Sequence, residues 1–173
     1  MNIGLLIVRM VVGLLFVGHG TQKLFGWFGG DGLEGTGQFM AHLGFRPGTA
    51  NAGLAGASET GGGLLLALGF LTPLGAAAII GVMVSTLALH APKGLWATRG
   101  GYEYPLVNAA VAACIALAGP GKFSVDGAAG MPVNDMVVGS LAIGAGIAAG
   151  VLRLATRTPA PATEAEGRQT KAA

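Results

Sequence analysis

The chain has 173 residues, of which 52% are hydrophobic and only 10% are charged, and its mean hydropathy is +0.65. Soluble domains carry roughly 25% charged residues, so this composition excludes an ordinary soluble domain and indicates a membrane protein. The net charge is only +2 and there is no block of like charges, so the sequence lacks the basic surface with which proteins bind nucleic acid.

Five apolar segments are long enough to cross a membrane as helices. A hydrocarbon core about 30 Å thick needs about 20 mostly apolar helical residues, and Gly and Pro mark the breaks between such segments. The spans are predicted at about 3–25, 52–70, 73–90, 102–119 and 133–154. The 32 glycines favour helices that pack closely in lipid. The predicted fold is therefore an all-α, polytopic membrane helical bundle.

The first span ends in the stretch GLLFVGHGTQKLFGWFGG, which places His19, Gln22 and Lys23 inside an apolar segment. The segment is too long for a secretory signal and carries a lysine near its end, so we expect an uncleaved span. The next connection, 26–51, has apolar residues at rough helical spacing, which predicts a short helix at the membrane interface; these residues are Leu33, Phe39, Met40 and Leu43.

Proline and glycine residues mark the ends of the later spans. Pro73 begins the third span after a tight break, Gly-Pro-Gly ends the fourth, and Pro132 precedes the fifth. Residues 155–173 are rich in Ala, Thr, Pro and charge, which predicts a disordered tail. The single cysteine, Cys114, lies within the fourth span and is interpreted as a small buried hydrophobe.

The distribution of Lys and Arg predicts the orientation of the chain. The first loop, the third loop and the tail share one side and hold most of these residues, namely Arg46, Lys93, Arg99, Arg153, Arg157, Arg168 and Lys171. The other side has Lys122 and little else. We therefore expect these loops in the cytoplasm and the amino terminus outside, provided that the fifth segment crosses the membrane.

The polar residues within the spans fall in one leaflet, because alternating topology brings the first and third loops to the same side. They are His19, Lys23, Glu59, His90, Tyr102, Glu103, Tyr104 and Asn108. A charged residue costs about 2.5–3.5 kcal/mol at a helix centre on insertion scales, so such residues face the bundle interior and find partners. At about 100° per residue, Arg9, His19 and Lys23 project from one arc of the first helix.

Each of these residues also has a purely structural interpretation. Lys23 could snorkel to the interface, His19 could bond a backbone carbonyl, and Glu103 could be a carboxylate at a helix start. Glu59 is the residue least easily explained in this way, because it is deeper and has no obvious local partner.

Several motifs together resemble the DoxX family of small bacterial membrane proteins. They are Arg9 with a later His19-Gly20-x-x-Lys23, Glu59 before Gly61-Gly62-Gly63, the stretch GYEYPL from Gly101 to Leu106 followed by Asn108, and GPGKFSVD from Gly119 to Asp126. The resemblance covers about 3–126 and implies a four-helix membrane core. It divides the chain into a DoxX-like core at 1–127, an additional span at 128–154 and the tail.

The resemblance also implies a functional setting. DoxX-like proteins are similar to membrane subunits of thiosulfate:quinone oxidoreductase, and mycobacterial relatives associate with superoxide dismutase and a sulfurtransferase. This implies a multi-pass protein of the bacterial inner membrane that is linked to quinone-dependent sulfur or thiol redox chemistry or to oxidative-stress defence.

A quinone site needs an apolar slot, hydrogen-bond donors for the carbonyls and a titratable group to exchange protons. His19, Lys23, and Tyr102 or Tyr104 are candidate donors, and Glu59 or Glu103 is the candidate proton carrier. Arg9 and Asn108 complete the candidate cofactor-binding set. The aromatic residues Phe25, Trp27 and Phe28 would lie at the mouth.

Other cofactors fit the sequence less well. His19 and His90 share a leaflet, but His90 lies at the end of a span and nothing else in the sequence supports a haem pocket. One cysteine cannot hold an iron–sulfur cluster, and the glycine runs lack the strand and helix of a dinucleotide site. No i, i+4 ligand pair favours a metal. Two other functional classes stay open: a scaffold whose cytoplasmic loops recruit soluble redox enzymes, and a small-molecule transporter subunit that would need a homo-oligomer.

Overall fold

The structure, a computed structural model, describes residues 2–133 and 135–158 and consists of helices joined by short connections. The helices are α1 Asn2–Phe25, α2 Gly32–His42, α3 Gly48–Leu68, α4 Thr72–His90, α5 Glu103–Ala118, α6 Val125–Ala128 and α7 Met136–Ala155. Single 3-10 turns lie at Trp27–Gly29, Ala91–Lys93 and Ala97–Arg99. The part of the chain so described contains no strand, which confirms the all-α fold class. The predicted disordered tail lies, from residue 159 onward, outside the described residues.

The five long helices alternate in direction, so that α1, α4 and α7 run one way and α3 and α5 the other. The carboxyl ends of α1, α4 and α7 therefore lie beside the amino ends of α3 and α5, and we call this the first-loop end. There, Arg153 of α7 donates to the carbonyl oxygen of Asn51 in α3 at 3.2 Å. At the opposite end, which we call the far end, the backbone N–H of Lys122 donates to the side chain of Asn2 at 3.0 Å.

Glycines allow the helix backbones to touch. A Cβ on Gly13 of α1 would lie 2.5 Å from the carbonyl oxygen of Gly63 in α3. A Cβ on Gly150 of α7 would lie 2.7 Å from the carbonyl oxygen of Gly81 in α4. These two helix pairs, α1 with α3 and α4 with α7, make the most extensive contacts of the bundle. The close packing expected from the glycine content is present in both pairs.

The apolar side chains are distributed as in a protein surrounded by lipid. A narrow core between the helices contains Phe16, Leu66, Ile79 and Ile115, all at most 1% exposed. Many large apolar side chains instead face outward, including Ile7, Val11, Leu14, Met136, Leu141 and Leu152. Exposed apolar area on this scale is expected of a surface that contacts the bilayer.

Three helices in the described part of the chain are long and apolar enough to cross a membrane: Asn2–Phe25, Thr72–Lys93 and Met136–Ala155. The other two predicted spans are helices, but they do not meet both conditions. α3 has 21 residues and begins four residues before the predicted start, and its glycines and Glu59 lower its hydropathy. α5 is apolar but has only 16 residues, because Tyr102 and Gly119 lie outside the helix.

The predicted short helix in the first loop is α2, which packs against α3. Its buried side is formed by Thr36, Gly37 and Met40, while Leu33 and Phe39 are exposed. α2 therefore covers the amino end of α3 and directs apolar side chains outward at the first-loop end.

Candidate functional site

An ion pair joins α1 to α3 at the first-loop end. The Lys23 Nζ lies 2.5 Å from Oε2 of Glu59, and it also donates to the carbonyl oxygen of His19 at 3.3 Å. The Glu59 side chain is only 5% exposed, whereas that of Lys23 is 26% exposed. The lysine thus neutralises a buried carboxylate while it keeps some access to the surroundings.

The local sequence explains why this pair forms. Gly20 lies one turn before Lys23, and a Cβ there would lie 2.6 Å from the carbonyl oxygen of Gly56 in α3. Since only glycine permits such an approach, the backbones of α1 and α3 are close enough for Lys23 to reach Glu59.

A second polar pair joins α1 to α5. The Tyr104 hydroxyl lies 3.0 Å from Nε2 of His19, and the two rings meet edge to face with centroids 5.9 Å apart. α1 and α5 otherwise touch at few places, so this pair bridges a sparsely packed boundary, which we call the α1–α5 seam. Tyr104 is 44% exposed and His19 is partly buried. By helical spacing, the exposed apolar residues Leu15 and Val107 share the faces of these two side chains.

Gln22 is a member of this site to which the sequence interpretation gave no role. Its Oε1 lies 3.2 Å from Nδ1 of His19, and its Nε2 donates to the carbonyl oxygen of Phe28 at 3.4 Å. The available signal was its position three residues after His19, on the same face of the helix.

Asn108 lies one turn below Tyr104 and is buried. Its side-chain amide donates to the carbonyl oxygen of Tyr104 at 2.9 Å, so it bonds within its own helix. Asn108 therefore lies next to the α1–α5 seam without joining a second helix through this bond.

Three other predicted polar residues organise the third loop. The Glu103 carboxylate accepts from the backbone N–H of Ala97 at 2.9 Å. The backbone N–H of Tyr102 donates to the carbonyl oxygen of Gly94, and Nδ1 of His90 lies 2.7 Å from the carbonyl oxygen of Gly100. These contacts hold the loop in a compact shape, and Glu103 is engaged there instead of with Lys23.

Arg9 lies at the far end, away from the other predicted site residues. It precedes His19 by ten residues, or about 15 Å along the helix axis. Its side chain is 1% exposed, and the guanidinium donates to the carbonyl oxygens of Pro120 and Phe123. The shared helical face was thus a poor guide to its partners, which come from the segment after α5.

A buried carboxylate at the far end was also missed by the sequence interpretation. Asp126 is fully buried and accepts hydrogen bonds from the backbone N–H of Leu71 and from both the backbone N–H and the hydroxyl of Thr72, at 2.8–2.9 Å. It satisfies orphan donors at the amino terminus of α4. Arg9 and Asp126 together, which we call the far-end anchor, tie the segment after α5 to the bundle.

The chemistry available at the first-loop end follows from these contacts. It comprises a phenol and an imidazole at a partly open seam, and a lysine–carboxylate pair whose lysine lies one turn after the imidazole on α1. Such a set can donate hydrogen bonds to carbonyl oxygens and exchange protons. Within residues 2–133 and 135–158, no group of three His, Cys, Asp or Glu side chains is positioned to hold a metal ion.

Residues 4–91 match the family model described as DoxX, which is just over half of the chain. The match covers His19, Lys23 and Glu59 and ends before Tyr104, so the resembling motifs at 101–126 lie beyond it. No curated protein and no solved structure matches the chain.

Proposed function

Because the chain belongs to the DoxX family of membrane proteins, we propose that it is a multi-pass subunit that passes electrons from sulfur compounds or thiols to a membrane quinone. In this proposal the five long helices all cross the inner membrane of a bacterium. The observation that carries it is the His19–Tyr104 pair at the α1–α5 seam, with the buried Lys23–Glu59 pair behind it.

The residues at the seam fit the needs of a quinone. The ring and tail are apolar and would approach from the bilayer, where Leu15 and Val107 are exposed. The Tyr104 hydroxyl and the His19 ring are the hydrogen-bonding groups nearest to that side. Glu59, held by Lys23, is the titratable group behind them and takes the role of proton carrier. Tyr104 is favoured over Tyr102, and Glu59 over Glu103, because Tyr102 and Glu103 bond within the third loop.

The reaction is balanced as follows. Two thiosulfate ions or two thiolates each lose one electron, and an S–S bond forms between them. The two electrons, with two protons, convert a quinone to its quinol. The residues of this chain would hold the quinone oxygens and supply the protons. A partner subunit or the sulfur compound itself would supply the electrons.

The test is quinone reduction by thiosulfate and by low-molecular-weight thiols in membranes that contain the wild type, Glu59→Gln, Tyr104→Phe or no protein. Glu34→Gln, an exposed carboxylate of α2, is the matched control. We expect activity in the wild type and control and a loss of about 10-fold or more in both site variants at equal expression. Full activity of Glu59→Gln and Tyr104→Phe would contradict the proposed site.

The proposed membrane orientation has its own test. Thr98 in the third loop and Ala129 at the far end are exposed. Cys114 is exposed, and not buried as predicted, so single cysteines at these two positions are introduced in a Cys114→Ala background and labelled with an impermeant maleimide. In intact cells we expect labelling at 129 only, because the basic loops favour the cytoplasm. Labelling at 98 in intact cells would show that the third loop lies outside and would contradict the proposed orientation.

The second candidate function is a scaffold that recruits soluble redox enzymes such as a superoxide dismutase or a sulfurtransferase. The compact third loop favours it, since this loop exposes Leu95 and Trp96 beside the cations Lys93 and Arg99. If Trp96→Ala abolished enzyme recruitment while Glu59→Gln had no effect on quinone reduction, the scaffold would replace the redox subunit.

A further inference from the structure

We propose that Gln22 is a positioning residue that fixes the tautomer of His19, so that the proton exchanged at the α1–α5 seam joins and leaves the ring at Nε2. The tautomer follows from the hydrogen bonds of this chain alone. Its role in catalysis rests on the proposed quinone chemistry.

The orientation of the Gln22 amide is set by the Phe28 carbonyl. A backbone carbonyl can only accept, so the amide NH₂ of Gln22 must point toward it, at 3.4 Å. The amide oxygen then faces Nδ1 of His19 at 3.2 Å. Because an amide oxygen also only accepts, Nδ1 must carry the proton that bonds it.

The other ring nitrogen is consequently the one that can gain or lose a proton. In the neutral ring Nε2 carries no hydrogen, and the Tyr104 hydroxyl donates to it at 3.0 Å. A second proton can be added only at Nε2, which faces the seam. When the imidazolium releases a proton to a reduced quinone oxygen, the Nε2–H bond breaks, an O–H bond forms, and the ring returns to the tautomer held by Gln22.

The backbone after α1 holds the Phe28 carbonyl in place. Gly26 has φ 72° and Phe28 has φ 52°, so the chain turns back over the end of α1. Gly30 completes this return, and a Cβ there would lie 2.5 Å from the carbonyl oxygen of Gln22. The turn is therefore packed directly on Gln22, and a side chain at position 30 must displace it.

The experiment is ¹⁵N NMR of the full chain in lipid nanodiscs, labelled at histidine and free of added quinone. The chain has three histidines, so His42→Gln and His90→Gln variants assign the signals of His19. At a pH where the ring is neutral, we expect a protonated Nδ1 and an unprotonated Nε2.

Four variants separate a positioning role from a general structural one. Gln22→Leu removes the acceptor and is expected to populate the Nε2–H tautomer. Gln22→Glu retains an acceptor and is expected to keep the wild-type tautomer. Gly30→Ala displaces the turn and is expected to give a mixture. Gln38→Leu makes the same change on an exposed position of α2 and is the matched control.

The outcomes distinguish this inference from the proposed function. The inference would be overturned if the neutral wild-type ring were protonated at Nε2, or if Gln22→Leu left the tautomer unchanged. If Gln22→Leu does not fold, an unchanged tautomer in Gly30→Ala would overturn the inference instead. We also expect Gln22→Leu to reduce quinone reduction about 10-fold and Gln22→Glu to restore most of it. The expected tautomers without any quinone reduction in the wild type would refute the proposed function alone.

Discussion

Removal of either partner of the Lys23–Glu59 pair is expected to destabilise the bundle to different extents. The Glu59 side chain is 5% exposed, so Lys23→Met leaves a buried carboxylate without its cation. Loss of one partner of a buried pair costs about 3–5 kcal/mol. The Lys23 side chain is 26% exposed and can move toward the interface, so Glu59→Gln should cost less, about 1–3 kcal/mol.

A double-mutant cycle measures the interaction itself. The double variant removes both charges, so neither is left buried and unpaired. We expect it to be more stable than the sum of the single effects predicts, by about 2 kcal/mol. The assay is reversible unfolding in mixed detergent micelles, followed by the fluorescence of the two tryptophans, Trp27 and Trp96.

Two results would refute this reasoning. Single effects that add to within about 0.5 kcal/mol would mean that the two side chains do not interact in the folded state. A larger cost for Glu59→Gln than for Lys23→Met would mean that the lysine, and not the carboxylate, is the group trapped by burial.

Three further predictions use the same unfolding assay or quinone binding. Gly20→Ala should lower the free energy of unfolding by about 1–3 kcal/mol, because the added Cβ would meet the backbone of α3. Gly18→Ala has open space around it and should change that free energy by no more than about 0.5 kcal/mol. Equal effects of the two variants would contradict the packing of α1 on α3. Asp126→Asn should cost about 3 kcal/mol because its amide would meet the donors of α4, whereas Asp135→Asn, also a good N-cap, should change stability by no more than about 0.5 kcal/mol. Tyr104→Phe should weaken quinone binding, measured by titration in nanodiscs, by about 3- to 10-fold with little change in stability, and unchanged binding would remove Tyr104 from the site.

Hydropathy and turn residues were sufficient to predict where the long helices lie. Length, apolar runs and the break at Leu71-Thr72-Pro73 are local properties, and α1, α4 and α5 lie within one residue of their predicted limits. The predicted alternation in helix direction also placed His19 and Tyr104 at the same end of the bundle, and the two side chains are in contact there. The starts of α3 and α7 were less accurate, by four and three residues, because Gly and Ala at the start of α3 are compatible with either helix or loop and because Asp135 caps α7 at its start.

The partners of the polar side chains were harder to predict, because they depend on contacts between distant segments. Arg9 shares a helical face with His19 and Lys23, yet its partners are carbonyls of the segment after α5. Glu103 bonds the third loop because glycines with positive φ, Gly94 and Gly100, fold that loop back on the start of α5. Helical periodicity describes one helix at a time, so it could predict neither the contacts of Arg9 nor the contact of Glu103.

The two ends of the bundle use charge in different ways, and this difference separates structural from functional residues. Arg9 and Asp126 are at most 1% exposed, and their hydrogen bonds are mainly to backbone groups, which have no alternative positions once the helices are packed. At the first-loop end the His19–Tyr104 and Lys23–Glu59 contacts instead join side chain to side chain, and the α1–α5 seam that the His19–Tyr104 pair crosses is sparsely packed and partly exposed. Side-chain pairs can exchange a partner for a ligand without unfolding a helix, whereas a charge bonded to the backbone cannot. Variants of the far-end anchor should therefore lower stability and activity together, and conservative variants at the seam should lower activity alone.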